Sequence, residues 1–300
     1  MSNSEHKMLL VGDNPFQGIS HLSQERARTR GRTPASPRTA VDVVHSALEN
    51  GADGFTFSVS DFTLSMLGIM RDQDRIDQVK LYAMVPYAFE YVRVATQTGT
   101  PGLAKRFVKQ IAVSGDVKTI LTGLKTVLTL KPEDLLRTYV TYEISRIMSS
   151  AGRRAKLVSL LLNEVVTDLA LALDFDWLFK SYIDYLLRLR IKPGFNTRNF
   201  PYLVSKFEEW NVDVYRTWIV APFNKVGFQM NPSREDCEKA LTSLPRPIVL
   251  AMSILAAGYL KLPQAIDYVA TLPNIGGVCV GVSKDQHARE SFRLLKSKFH

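Results

Sequence analysis

The stretch GVCVGVSKDQHARESFRLL, residues 277–295, is the most informative part of the sequence. It passes from an apolar strand through a glycine into a short polar turn and then a helix. Gly281 has no Cβ and so lets a ligand approach the backbone closely. Ser283 is placed to cap the helix, with Lys284 and Asp285 in its opening turn. A helix start offers free N–H groups and the positive end of a dipole, which suits a phosphate. An ordinary capped helix after a strand has the same pattern, and only the rest of the chain separates the two readings.

Outward from this step, short apolar strand patterns alternate with longer helical ones, the order expected of parallel βα units. The strand candidates are residues 8–12, 54–58, 80–85, 156–162, 192–196, 217–221, 247–252 and 277–281. Helical patterns fall between them, at 39–50, 176–190, 199–211 and 234–244 for example. Eight such steps predict one (β/α)8 TIM barrel over residues 1–300, and residues 277–295 are then its last strand-to-helix step. Residues 86–155 are too long for an ordinary connection between the third and fourth strands. They read as a helical insertion on the ligand-binding face, serving as a lid or a contact between subunits of a homo-oligomer.

The bulk composition sets limits. At 46% hydrophobic residues the chain has enough apolar surface for a full core. Two cysteines, Cys237 and Cys279, argue against a disulfide framework. The N-terminus has no signal-like apolar stretch and no apolar run is long enough for a membrane span, so a cytoplasmic protein with no membrane partner is expected. The net charge of +9 favours anionic small molecules. Part of it lies in one loop, with Arg26, Arg28, Arg30 and Arg32, expected to lie over the barrel mouth. Part lies at Lys105, Arg106 and Lys109. Neither cluster has the interleaved aromatics of a nucleic-acid surface, so no nucleic-acid partner is expected.

In a barrel the residues just past each strand converge on one face. They include Asp13, Asn14 and His21 as substrate-binding candidates, Asp61, Asn163 and Glu164 as catalytic candidates, and Asp168 one turn on. Four of these strand ends carry an asparagine, at Asn14, Asn163, Asn196 and Asn224, which points to a polar small molecule. Glu164 is the leading acid/base candidate, because a carboxylate in a closed pocket has a raised pKa. Asn-Glu ending strand four also resembles the acid/base site of barrel glycosidases. Their second carboxylate comes from strand seven, which here reads PIVLAMSILAAG and has none. Of five histidines, His6 and His300 are terminal and only His21 has a rim position, so no metal centre is expected.

The second half resembles the aldo-keto reductase superfamily. IKPGFNTRNFPYLV at strand five is similar to the family's G-[VI]-S-[NT] turn, with Asn196 and Thr197 at matching places. PFN at strand six is similar to the family's YN, with Phe223 keeping the ring that stacks on nicotinamide and Asn224 following it. MSILAAGYL resembles SPLAxGxL, with Ser253 and Leu255 at cofactor-contacting positions. GVSKDQHARES resembles GxSxxEQxxEN, which implies that Gly281, Ser283, Lys284, Gln286 and Glu290 line the 2′-phosphate end of NADP. The first half departs from the family. Thr56 stands at the catalytic Asp position, Ser60 or Asp61 at the Tyr, Met84 at the Lys and Asn163 at the His. The resemblance implies a divergent oxidoreductase binding a nicotinamide nucleotide or another phosphorylated ligand. Two alternatives stay open: a lyase, hydrolase or isomerase using Glu164, and a non-catalytic binding protein on a degenerate reductase barrel.

Overall fold

Alternation of inward and outward side chains, together with the space inside a small barrel, accounts for most of this structure. The computed structural model describes residues 6–16, 36–86 and 131–300. Eight parallel strands close in chain order: β1 (Met8–Gly12), β2 (Gly54–Ser58), β3 (Lys80–Val85), β4 (Lys156–Leu162), β5 (Lys192–Asn196), β6 (Trp218–Pro222), β7 (Val249–Met252) and β8 (Ile275–Gly281). β8 pairs back onto β1 with Met8 opposite Gly277 and Gly12 opposite Gly281. Closure removes the sheet edges, which would otherwise offer unpaired N–H and C=O groups.

Among the described residues nine α-helices flank the strands: α1 (Pro37–Glu49), α2 (Asp61–Asp72), α3 (Pro132–Ala151), α4 (Glu164–Ala172), α5 (Asp176–Arg188), α6 (Phe200–Glu209), α7 (Arg234–Ser243), α8 (Leu262–Thr271) and α9 (Asp285–Phe299). Local chemistry fixes several starts. The Ser36 side chain accepts from Thr39 N at α1, and Ser60 and Thr63 form a reciprocal capping box at α2. No described helix is long and apolar enough to cross a membrane.

The eight expected strands are all present, and the first five keep their expected boundaries. β6 starts one residue late, because the Thr217 hydroxyl donates to Val214 O at 2.7 Å and closes a turn. β8 starts two residues early, because Ile275 already pairs with Val249. The last part of the expected insertion is described. Residues 132–151 form α3, which packs against α2 and α5 and so takes the third position in the helical ring. The excess reduces to residues 87–130, which lie outside the described residues, as do the expected helices at 103–111 and 117–129.

Counting by twos along each strand separates two cores. Leu10, Tyr82, Leu161, Val220 and Leu250 fill the barrel interior, with Met8, Met84, Val158, Trp218, Met252 and Cys279 packed on them. Their neighbours, such as Leu9, Val11, Phe55, Leu81 and Ile219, face the helices. An eight-stranded barrel has an interior just wide enough for side chains, so large residues there need small ones opposite. A Cβ on Gly54 would lie 2.9 Å from the Tyr82 ring, and one on Gly194 would lie 2.4 Å from Leu161 Cδ2. On Gly277 it would lie 2.5 Å from Met8 O and 2.8 Å from Leu250 Cδ2.

Gly277→Ala therefore forces β8 away from β1 and is expected to destabilise by about 1–3 kcal/mol. Gly68→Ala is the control. Nothing lies within 4 Å of a Cβ there, mid-helix in α2, so it is expected to stabilise by about 0.5–1 kcal/mol. Urea unfolding of the two variants beside the parent measures both signs.

Candidate active site at the barrel mouth

The C-terminal ends of the strands deliver a small set of inward side chains. Ser58 and Met84 are opposite each other in register. The Met84 thioether is approached at 3.5 Å by Asn163 Nδ2 and at 3.5 Å by Asn196 Nδ2. Sulfur offers only lone pairs, so the amide nitrogens face it and the amide oxygens point elsewhere. Asn163 Oδ1 accepts from Val165 N at 2.9 Å and caps α4. Asn196 is 3% exposed, and its Oδ1 is buried with no hydrogen-bond partner among the described residues. Leaving such an acceptor unmet costs roughly 1–3 kcal/mol. The mouth therefore holds a donor-seeking oxygen beside a thioether.

Asp13, the substrate-binding candidate after β1, is 5% exposed and accepts from Ser58 N at 3.0 Å, bridging β1 and β2. Burial, with the Asp13 charge adding to it, pushes the Cys279 thiol up to about 12. Cys279 stays a thiol near neutral pH and is no nucleophile. Asn14 is exposed at the rim. His21 and the Arg26–Arg32 loop residues lie outside the described residues, and so do Lys105, Arg106 and Lys109.

The positions matched to the reductase catalytic set do not form a proton relay. Thr56 registers with Tyr82, one layer deeper than Met84, which is level with Ser58. Ser60 is buried in the α2 capping box. Asp61 opens α2, and its carboxylate is bound at 3.2 Å by Arg146, a buried α3 guanidinium that also holds Glu143. Asp61 thus ties α2 to α3.

Glu164 also differs from expectation. It is the first residue of α4, and its carboxylate is hydrogen-bonded and ion-paired to Arg198, past the end of β5. Asp168 accepts from the Thr197 hydroxyl and, at 3.2 Å, from Arg198 N. Thr197 in turn accepts from Asn199 N at 2.9 Å. These contacts make a charged clasp between the β4 and β5 loops. A proton-transfer role for Glu164 requires it to leave Arg198 first.

Three cofactor candidates need correction for simple reasons. Phe223 is fully buried outside the barrel, edge-on to Phe200 at 5.4 Å between ring centroids. Val220 faces inward, so the residue three further on faces outward. That parity was readable from the sequence. Asn224 is spent on its own loop, donating to Phe228 O and accepting from Phe228 N, each at 2.8 Å. At β8 Gly281 is exposed, and a Cβ there would lie 2.8 Å from Pro15 Cγ, so only a glycine fits against the β1 loop.

The start of α9 carries charges of both signs. Lys284, not Ser283, is the N-cap residue, and it makes no side-chain capping bond. The Asp285 carboxylate stands in the first turn, ion-paired to Arg289 at 2.8 Å, and the nearby Ser46 hydroxyl and then Arg289 hold it below its ordinary pKa. Gln286 Nε2 donates to Glu290 Oε1 at 2.8 Å on the exposed helix face. The β7 loop was missed as a strained element. Ser253, Ala256 and Ala257 have φ of 53°, 45° and 57°. Non-glycine residues held in that region cost of order 1–3 kcal/mol each and cluster at ligand sites. Leu255 sits in the same loop, half-buried.

No protein-family model matches the chain, and no curated protein sequence matches it. Solved structures do. A Pseudomonas aeruginosa protein provisionally described as an aldo-keto reductase aligns over 99% of this chain and 93% of its own, with TM-score 0.59 and 12% identity. A second structure with that description gives 0.58 and 12% over 100% and 94%. Dispersin B gives 0.53 and 9% over 98% of both chains. These likenesses concern the fold.

Two substitutions separate the two asparagines. Asn163→Ala removes the α4 cap and is expected to destabilise by about 1 kcal/mol. Asn196→Leu removes an unmet acceptor and is expected to leave the ligand-free protein as stable or up to about 1 kcal/mol more so. Chemical denaturation of both variants checks the contrast.

Proposed function

We propose that this chain is a divergent reductase-type barrel that binds a nicotinamide nucleotide at its C-terminal mouth without the reductase proton relay. The observation that carries the reading is the Asn196 Oδ1, a buried acceptor with no hydrogen-bond partner among the described residues, on the strand whose turn resembles the family's cofactor-binding turn. A nicotinamide carboxamide brings N–H donors, and a bond to that oxygen recovers the desolvation the apo protein bears. The strained Ser253–Ala257 backbone fits a loop shaped for a ligand. Lys284 and the uncapped N–H groups of α9 suit the phosphate end, although Asp285 weakens that end for an anion.

NADPH bound there would supply a hydride, and NADP⁺ would accept one. The chain's own residues orient the ring end through Asn196 and exclude water with Met84 and Met252. Stacking by Phe223 is not part of the reading, since its ring lies outside the barrel. Met84 and Asn163 carry no exchangeable catalytic proton, and Cys279 holds its own tightly. Nucleotide binding is therefore expected without ordinary carbonyl reduction. The Arg198 clasp on Glu164 disfavours the acid/base alternative.

Titration of NADPH fluorescence tests this. Saturable binding is expected, with Asn196→Leu weakening it at least tenfold, the equivalent of about 1.4 kcal/mol. Equal affinity in the two proteins removes Asn196 from the site, and no binding by the parent rejects the nucleotide reading.

A further inference from the structure

At the opposite end of the barrel, three residues far apart in sequence meet. His6 precedes β1, Asp53 precedes β2, and His300 follows α9. The His6 and His300 rings stack with centroids 3.6 Å apart. One ligand atom from each of the three residues lies within 4.8 Å of the others. We propose that His6, Asp53 and His300 form a binding site for a borderline divalent metal, Zn²⁺ above all, that clasps the two ends of the described chain.

Two imidazoles and a carboxylate are the donor set that zinc accepts, with water in a fourth position, while Mg²⁺ and Ca²⁺ prefer all-oxygen sets. Two of the three ligands, Asp53 and His300, already have outer contacts of the kind that orient metal ligands. Asp53 Oδ2 accepts from Leu9 N at 2.8 Å, and Asp53 N donates to Leu9 O at 2.7 Å, so the residue is held through both its side chain and its backbone. His300 Nε2 lies 3.0 Å from Lys7 O and 3.9 Å from Asp53 Oδ2. The His300 and Asp53 side chains are only 14% and 22% exposed. Donor atoms around a tetrahedral zinc stand roughly 3.3 Å apart, given Zn–N bonds of about 2.0–2.1 Å. The rings are stacked, so metal binding requires the exposed His6 ring to turn out of its stack on His300 until both nitrogens face one ion. A metal there joins the strand that closes the barrel to the last helix, so its binding adds to folding stability.

The test uses the full chain, stripped with EDTA and dialysed. ZnCl₂ is expected to raise the melting temperature where MgCl₂ does not, and Co²⁺ to give the visible absorption of a tetrahedral nitrogen and oxygen site. His6→Ala and His300→Ala are each expected to weaken Zn²⁺ binding at least tenfold. Asp53→Asn keeps an oxygen for Leu9 N, and is expected to weaken binding similarly while the fold stays intact. Cys237→Ser is expected to bind as the parent does. Zn²⁺ binding that survives His6→Ala and Asp53→Asn, or no Zn²⁺ binding by the parent, overturns the proposal.

Discussion

The close fit of large side chains against glycines inside the barrel is the constraint on which the rest depends. Gly277 lets the β8 backbone lie against Met8 O while Leu250 fills the space beside it. Gly194 does the same for Leu161, and Gly54 for Tyr82. A barrel of this size has no room for two large residues facing each other at one level. Once the interior is set, strand closure follows, and with it the placement of both ends of the barrel. Gly12 comes beside Gly281 at the mouth, and the segment before β1 comes beside the end of α9 at the other end.

The mouth inherits its character from this packing. Met84 is held among aliphatic neighbours and cannot act as an acid or base, yet it positions two carboxamides. Asn163 is fully employed, because it caps α4 as well as touching the thioether. Asn196 is not, and its orphaned oxygen runs against the usual satisfaction of buried polar groups. Most charged groups nearby are engaged with one another. The Arg198 guanidinium pairs with Glu164 while its backbone N–H holds Asp168, tying α4 to the loop after β5, and Arg146 links Asp61 and Glu143 across two helices. Such pairing favours a site that recognises and orients over one that moves protons through free carboxylates.

Much of the fold was legible, because period-2 apolar strands and glycine-punctuated turns are local signals. The site was legible only in part. Asn163 and Asn196 were identified from their places at strand ends, whereas Phe223 was misplaced by following a motif across the parity of β6. The Glu164–Arg198 pair joins residues on different strand-to-helix loops, and no local pattern announces it. Pro15 covering Gly281 depends on the β1–β8 closure in the same way. His6 and His300 looked unimportant as terminal residues, and only the closed barrel brings them to Asp53. The capping of α9 turned on a single residue, with Lys284 rather than Ser283 holding the extended N-cap backbone. Helix boundaries of that kind shift by a residue without changing the fold.

The central claim is that the Asn196 acceptor exists for a ligand donor. A crystal structure of the protein with NADP⁺ tests it most directly. The account predicts the carboxamide nitrogen within about 3.2 Å of Asn196 Oδ1, the distance of a hydrogen bond. A nucleotide bound elsewhere, with water or a neighbouring side chain satisfying Asn196, would contradict it.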